Sequence, residues 1–444
     1  MSDIYIAVPE VTKNGNMIFG KNSGREPNEA QAIIRVPAMD QDDEMLECTY
    51  IKIPQVKTTY EILLSKPFQM WGAEMGTNEF GLTIGTEAVF SKVKPSKENT
   101  GLTGMDMLRI ALERCKAADE ALELITKLLE EYGQDAFGGY KNKNYYYNNS
   151  FIISDSEKAW VLETAGKQWV AQKVTGFRNI STGYTIEEEF DLHSKDLIEF
   201  ANKNGWTRKG KNFNFREAYS EWFYTRMSKS KIRQKKIAEF GNTHKGSFDV
   251  SLGIELLSSH NKKEDKFSPS KANTGSISMM ATGKFNPIQT TGSMIVEIRK
   301  SNTSTIWLTG TSLPCNSIFK PFFIPGKNIY EGLTQQPGSM ADDSFWWQSE
   351  KFNRMVLKHY RPARKMYNSE REKIQKDFIF RERELFASGN PDLETLNEFS
   401  EKSFTIHKKK ILEWKYQLGK QKLNSSSLFY HGYLKKLNKE AYLS

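Results

Sequence analysis

Apolar residues gather early in the chain into two short runs, Ile4-Tyr5-Ile6-Ala7-Val8 and Met17-Ile18-Phe19, separated by Asn14-Gly15. That pattern predicts two strands joined by a turn, with the start of the chain buried in a sheet. Strand-like runs follow at Cys48–Ile53, Tyr60–Ser65 and Phe80–Phe90, so the first section is β-rich. From Thr103 to Tyr132 the spacing becomes helical. Met105, Leu108, Leu112 and Cys115 form one stripe, Leu122, Ile125, Leu128 and Leu129 a second, and Asp119 stands where a new N-cap would lie. Alternation returns at Ser150–Ser154, Ala159–Leu162 and Gln168–Val174, predicting hairpin-connected antiparallel strands. A helical Asp196–Asn202 stretch and a basic Ser228–Lys236 segment come next, neither with an assigned chemistry, before a last pair of strands at Ser293–Ile298 and Thr305–Thr309. Strand, helix and strand blocks in this order predict an α+β architecture.

Gly326–Ser339, rich in Gly, Pro and Gln, reads as a connector. Beyond it, Phe345–Met366, Ser369–Phe386 and Phe404–Leu418 have helical spacing. The expected organisation is a main domain over 2–325, a connector over 326–344, and a basic, mainly helical region over 345–444 that packs loosely on the main domain.

Composition narrows the function. A hydrophobic content of 38% and an aromatic content of 12% over 444 residues suffice for a large core. The net charge of +9 is confined to the tail: residues 351–444 hold 21 Lys and Arg against 11 Asp and Glu, and residues 1–350 hold 42 against 43. Lys408-Lys409-Lys410, Lys420 and Lys422 could meet phosphates, but interleaved acids such as Glu413 make a solvated helical face the better reading, so no specific nucleic acid is expected. No run approaches the roughly 18–20 apolar residues of a membrane span, and no signal-peptide pattern opens the chain, so a cytoplasmic location is expected. Cys48, Cys115 and Cys315 have neither disulfide nor zinc spacing and read as buried thiols. The six histidines show no metal-binding pair, and neither a phosphate loop nor a dinucleotide motif occurs, so no cofactor is expected. Homo-oligomerisation stays open.

Ser2 follows the initiator methionine. Removal of Met1 would place a hydroxyl beside a free α-amine of ordinary pKa about 7.7–8.0, a nucleophile with its own base. The segment from Ser2 to Phe19-Gly20-Lys21-Asn22-Ser23 resembles the secernins, the eukaryotic branch of a dipeptidase family within the N-terminal nucleophile hydrolases. The resemblance continues through Glu47-Cys48-Thr49-Tyr50-Ile51, Trp71-Gly72-Ala73-Glu74-Met75-Gly76-Thr77-Asn78-Glu79 and Gly104-Met105-Asp106. It reappears in Trp160-Val161-Leu162-Glu163-Thr164-Ala165-Gly166-Lys167, Arg178-Asn179-Ile180-Ser181 and Phe319-Lys320-Pro321-Phe322, covering roughly residues 2–325.

The resemblance implies a four-layer α-β-β-α sandwich and hydrolysis of a small peptide or amide, with Ser2 in the place of the family's cysteine. It implies Lys21 as an electrostatic partner for developing negative charge and Asn22 as a donor or backbone-fixing group. Gly24 stands where the family has an aspartate that holds the α-amine, leaving Glu26 or Asp3 as nearby replacements. Thr182 stands where the family has an oxyanion-binding asparagine. Trp71, Glu74, Asn78, Thr86 and Glu87 are the implied pocket residues, with Glu87 a charge partner for a substrate amine and Trp71 and Asn78 equally readable as core and turn. Three departures from the family pattern keep a second reading open, a catalytically degraded member retained for protein interaction.

Overall fold

The computed structural model describes residues 1–143, 145–326, 334–423 and 427–443. Two antiparallel sheets form its centre. The six-stranded sheet runs in the order Phe177–Ser181, Asp3–Ala7, Met17–Arg25, Gln289–Ile298, Thr305–Leu308 and Lys320–Phe322. The eight-stranded sheet runs Leu192–His193, Gln168–Lys173, Ala159–Ala165, Asn148–Ser154, Thr83–Val89, Met75–Asn78, Ile62–Pro67 and Gln31–Val36. The opening hairpin is present as expected, with Asp3 opposite Asn22 and Ala7 opposite Ile18, and Gly15 supplies the positive φ of its connection.

The sheets stack face to face. A Cβ on Gly85 of the larger sheet would lie 2.7 Å from the Phe19 ring and 3.0 Å from Lys21 Cδ of the smaller one, so glycine permits this approach. Helices Ser230–Thr243 and Val250–Leu257 cover the outer face of the smaller sheet, and Gly104–Arg114 and Ala118–Tyr132 cover that of the larger. The result is a four-layer α-β-β-α sandwich. Strands Asp3–Ala7 and Met17–Arg25 are buried along their whole length because a layer lies on each side.

The helix pair is split where the apolar stripe changes phase. Thr103 and Asp106 form a reciprocal capping box at the first helix. Asp119 caps nothing; it lies in the first turn of the second helix and binds Lys158 and Trp160 Nε1. The expected helix over Phe345–Met366 is two helices, Phe345–Lys358 and Tyr360–Ala387, broken at His359. Pro362 lacks the N–H of a continuous helix and is accommodated in the first turn of a new one. Helices Leu393–Gly419 and Leu428–Glu440 complete the tail.

These helices are not loosely attached. Phe352, Tyr367 and Trp414 pack at centroid distances of 5.1–6.0 Å within the core that contains Ile4, Phe19 and Trp307. Trp346 Nε1 donates to the Thr291 carbonyl at 2.9 Å, tying the first of them to the central sheet. The expected connector lies partly outside the described residues. Lys410 stands between Glu370 and Glu413, at 2.8 and 2.7 Å, so part of the basic run belongs to a charge-paired surface. All three cysteines are buried free thiols. Among the described residues no helix is long and apolar enough to cross a membrane.

Candidate active site

Strand alternation divides the Lys21–Arg25 segment between two faces. Successive side chains on a strand point to opposite sides, so Lys21, Ser23 and Arg25 face the second sheet while Asn22 faces the helices. Asn22 Nδ2 accordingly donates to the Leu257 and Ile277 carbonyls at 2.9 and 3.0 Å, and its Oδ1 accepts from Ser293 Oγ at 2.7 Å. Its amide ties the helix layer to the sheet. The same alternation separates Thr86, whose hydroxyl lies 3.4 Å from Asn149 Oδ1, from Glu87, which faces the inter-sheet space.

Ser2 sits at the end of the first strand, between the ends of Met17–Arg25 and Phe177–Ser181, and is 3% exposed. Its backbone N–H donates to Glu87 Oε1 at 2.9 Å, and its Oγ accepts the Gly24 N–H at 3.0 Å. Thr182 Oγ1 donates to the same Glu87 oxygen at 2.6 Å. The buried polar atoms on these inward faces that have no hydrogen-bond partner among the described residues include Ser23 Oγ, Glu87 Oε2 and Ser150 Oγ. Ser150 is directly opposite Glu87 in the sheet register. A buried unpaired polar atom costs about 1–3 kcal/mol.

Met1 fills the space beside Ser2. Its amine donates to the Gly24 carbonyl at 3.1 Å, and a Cβ built on Gly24 would lie 1.6 Å from the Met1 carbonyl oxygen. Glycine at 24 is therefore a condition for seating Met1. Met1 is itself partly exposed. Burial holds the Met1 amine below its ordinary value, against the pull of Glu87 and Glu74.

Two ion-pair groups frame the position. Lys21 Nζ lies 3.2 Å from Glu74 Oε2, and Arg25 Nη1 binds Glu74 Oε1 at 3.1 Å while Arg25 Nη2 binds Glu29. Burial works against ionisation of Glu74, but Lys21 and Arg25 outweigh it and hold the carboxyl below its usual range. On the helix side, Arg233 Nε meets both Asp3 oxygens at 2.9 Å, and Arg233 Nη2 meets Ser181 Oγ at 2.8 Å. Burial raises Asp3 to about 6 even though Arg233 opposes the shift.

Glu87 joins Ser2 and Thr182 through one carboxylate oxygen, and Lys21 and Glu74 form a buried pair on the inter-sheet side. The structure places the other expected residues elsewhere. Trp71 lies under Arg109, whose guanidinium is 4.1 Å from its ring, and Asn78 closes a turn by accepting from Phe80 and Leu82 N–H and donating to the Leu112 and Cys115 carbonyls. Neither potential replacement for an aspartate at 24 reaches the amine: Glu26 accepts from the Lys141 and Asn142 N–H groups, and Asp3 is held by Arg233. The carboxylate that meets the Ser2 backbone nitrogen is Glu87. Arg25 and Ser181 lie in segments that resemble the family without being assigned a role, whereas Arg233 has no motif to signal it, although a fully buried arginine is itself unusual.

A family model described as peptidase family C69 matches residues 21–231, beginning beyond Ser2. A dipeptidase from Bifidobacterium longum (strain NCC 2705) is 26% identical over 227 residues, 44% of this chain, and the chain spans only 38% of that relative's length. Among solved structures, a mutant conjugated bile acid hydrolase from Clostridium perfringens is 13% identical with a TM-score of 0.40, covering 72% of this chain and 96% of that one. Penicillin V acylase from Agrobacterium tumefaciens is 11% identical with a TM-score of 0.41, covering 72% and 86%.

Proposed function

We propose, from the match of residues 21–231 to the family model described as peptidase family C69, that the chain hydrolyses a small peptide or amide with Ser2 as an N-terminal nucleophile once Met1 has been removed. The observation that carries the reading is the contact of the Ser2 nitrogen with Glu87. On that nitrogen, freed as an amine, Glu87 accepts one proton as a hydrogen bond and leaves the lone pair to face Oγ. The amine takes the Oγ proton as Oγ bonds to the substrate carbonyl carbon, then gives it to the departing amine as the carbon–nitrogen bond breaks. Water hydrolyses the resulting ester by the same proton route in reverse.

Each neighbour has a part in this scheme. Gly24 N–H fixes the hydroxyl. Thr182 holds Glu87, and its own hydroxyl proton is committed there rather than to an oxyanion. Lys21 supplies positive charge near the reacting carbonyl, moderated by Glu74. A serine hydroxyl is a weaker nucleophile than a thiol, so turnover is slow relative to a cysteine enzyme of the same design.

The second reading, a catalytically degraded member kept for protein interaction, is favoured by one feature: Met1 occupies the niche beside Gly24, its amine donating to the Gly24 carbonyl. The two are separated by preparing the chain with Met1 removed and, under inhibition of methionine aminopeptidase, with Met1 retained. The enzyme reading expects hydrolysis of dipeptides or small amides only by the first. A functional protein from its natural source that carries Met1 or an acetylated Ser2 would refute it.

A further inference from the structure

A cleft of about 840 Å³ lies between the main domain and the C-terminal helices, and no residue lining it belongs to the site around Ser2. One wall is formed by helices Ser230–Thr243 and Val250–Leu257 and the loop after them, the other by helix Tyr360–Ala387. Its cations are Lys236, Lys262, Lys263, Arg364, Arg371 and Lys376; its acids are Glu255, Glu264 and Glu372. His260, also in the lining, is neutral: burial drives it down to about 3, and its Nδ1 is 3.1 Å from the Ser278 carbonyl. The lining therefore has an excess of three positive charges.

The acids leave part of that charge uncovered. Glu264 pairs with Arg364 at 2.9 Å and Glu372 lies 3.5 Å from Arg371, whereas Lys262, Lys263 and Lys376 are exposed and engage no carboxylate among the described residues. Lys262 and Lys376 come from opposite walls. The buried Ile254 and Ile379 and the partly buried Phe240 and Leu252 give an apolar surface, and Ser258 Oγ, sealed from solvent, has no hydrogen-bond partner among the described residues. The volume falls in the range of small-molecule sites, roughly 300–1,000 Å³. An apolar floor under a cationic rim is complementary to a molecule with an apolar body and an anionic head.

The geometry points to this cleft as a binding site for a small amphipathic anion, its phosphate or carboxylate head held between Lys262 and Lys376 and its apolar part against Ile254 and Ile379. Such a head occurs on free metabolites and on lipids, and calorimetry on the full chain distinguishes these sources. Octyl phosphate should bind saturably with one site per chain, and both octanol and inorganic phosphate should bind at least tenfold more weakly. Vesicles of phosphatidylcholine containing phosphatidic acid should compete for that site if the source is lipid and leave it unaffected if the ligand is free. Lys262→Glu and Lys376→Glu, both exposed and unpaired, should each weaken octyl phosphate binding at least fivefold, while Lys373→Glu, on the same helix but outside the lining, should not. Absence of saturable binding, equal binding of octanol, or an equal loss in Lys373→Glu would overturn the assignment. Vesicle binding without octyl phosphate binding would overturn it too, since that reports adsorption to a charged surface.

Discussion

The Ser2 backbone nitrogen and Glu87 Oε1 meet at 2.9 Å across the space between the two sheets, joining the first strand of the chain to a strand 85 residues away. If this contact aims the amine after Met1 is lost, Glu87→Gln and Glu87→Ala should lower kcat more than they raise KM. A charged hydrogen bond is worth about 1.5–3 kcal/mol, which corresponds to a loss of roughly ten- to a hundredfold in rate. Steady-state kinetics on chains with a verified N-terminus would show it, and a change confined to KM would assign Glu87 to substrate binding instead.

Gly24 gives a prediction whose sign depends on processing. A side chain at 24 collides with the Met1 carbonyl, and once Met1 is gone its tightest remaining neighbour is the flexible end of Met279, 3.1 Å from the Cβ. Gly24→Ala should therefore lower the Tm of the Met1-bearing chain by several degrees and leave the processed chain little changed. Gly24→Asp in the processed chain should add a second carboxylate near the amine and raise activity. Differential scanning calorimetry of the two forms, with intact mass recorded for each, reads both effects.

Arg233 is buried, as are the groups it serves. Arg233→Ala leaves Asp3 and Ser181 without their partner in a closed environment, a change that typically costs about 3–5 kcal/mol. Arg233→Lys should recover only part of this, since a lysine cannot reproduce the guanidinium's several simultaneous contacts with Asp3, Ser181 and the Ser228 carbonyl. Urea unfolding of the three proteins would give the order.

The strands and helices were legible because most are long, periodic and bounded by Gly, Asn or capping residues such as Thr103. Ser2, Lys21, Glu74, Thr182 and Glu87 could be picked out because they lie in segments that resemble a family. What they do to one another was not legible. Glu87 as the partner of the Ser2 nitrogen requires knowing that the two sheets face each other, a fact carried by small residues such as Gly85 rather than by a motif. Asn22 and Lys21 share one family motif, but adjacent strand residues cannot face one point. Arg233 lay in a polar stretch with no distinguishing spacing, and its role depends on Asp3 being brought to it by the fold.

His260 should make the protein acid-sensitive. Its ring stacks on Phe267 at 3.7 Å, and burial, aided by Arg364, keeps it neutral down to about 3. The unfolded chain takes up this proton below its ordinary pKa of about 6.5, so it binds more protons than the folded one between those values. The stabilisation is complete above pH 6.5 and declines by about 1.4 kcal/mol per pH unit as pH falls toward 3. Unfolding free energies at pH 7, 6, 5 and 4 should show a shallower decline in His260→Gln than in wild type. Parallel curves would contradict this.

The central claim is that Ser2 supplies the reacting oxygen. The most direct measurement is hydrolysis of a panel of dipeptides and small amides by the Met1-free chain beside a Ser2→Ala chain of equally verified N-terminus and stability. The account predicts turnover by the first and none above background by the second; turnover that persists unchanged in Ser2→Ala would contradict it.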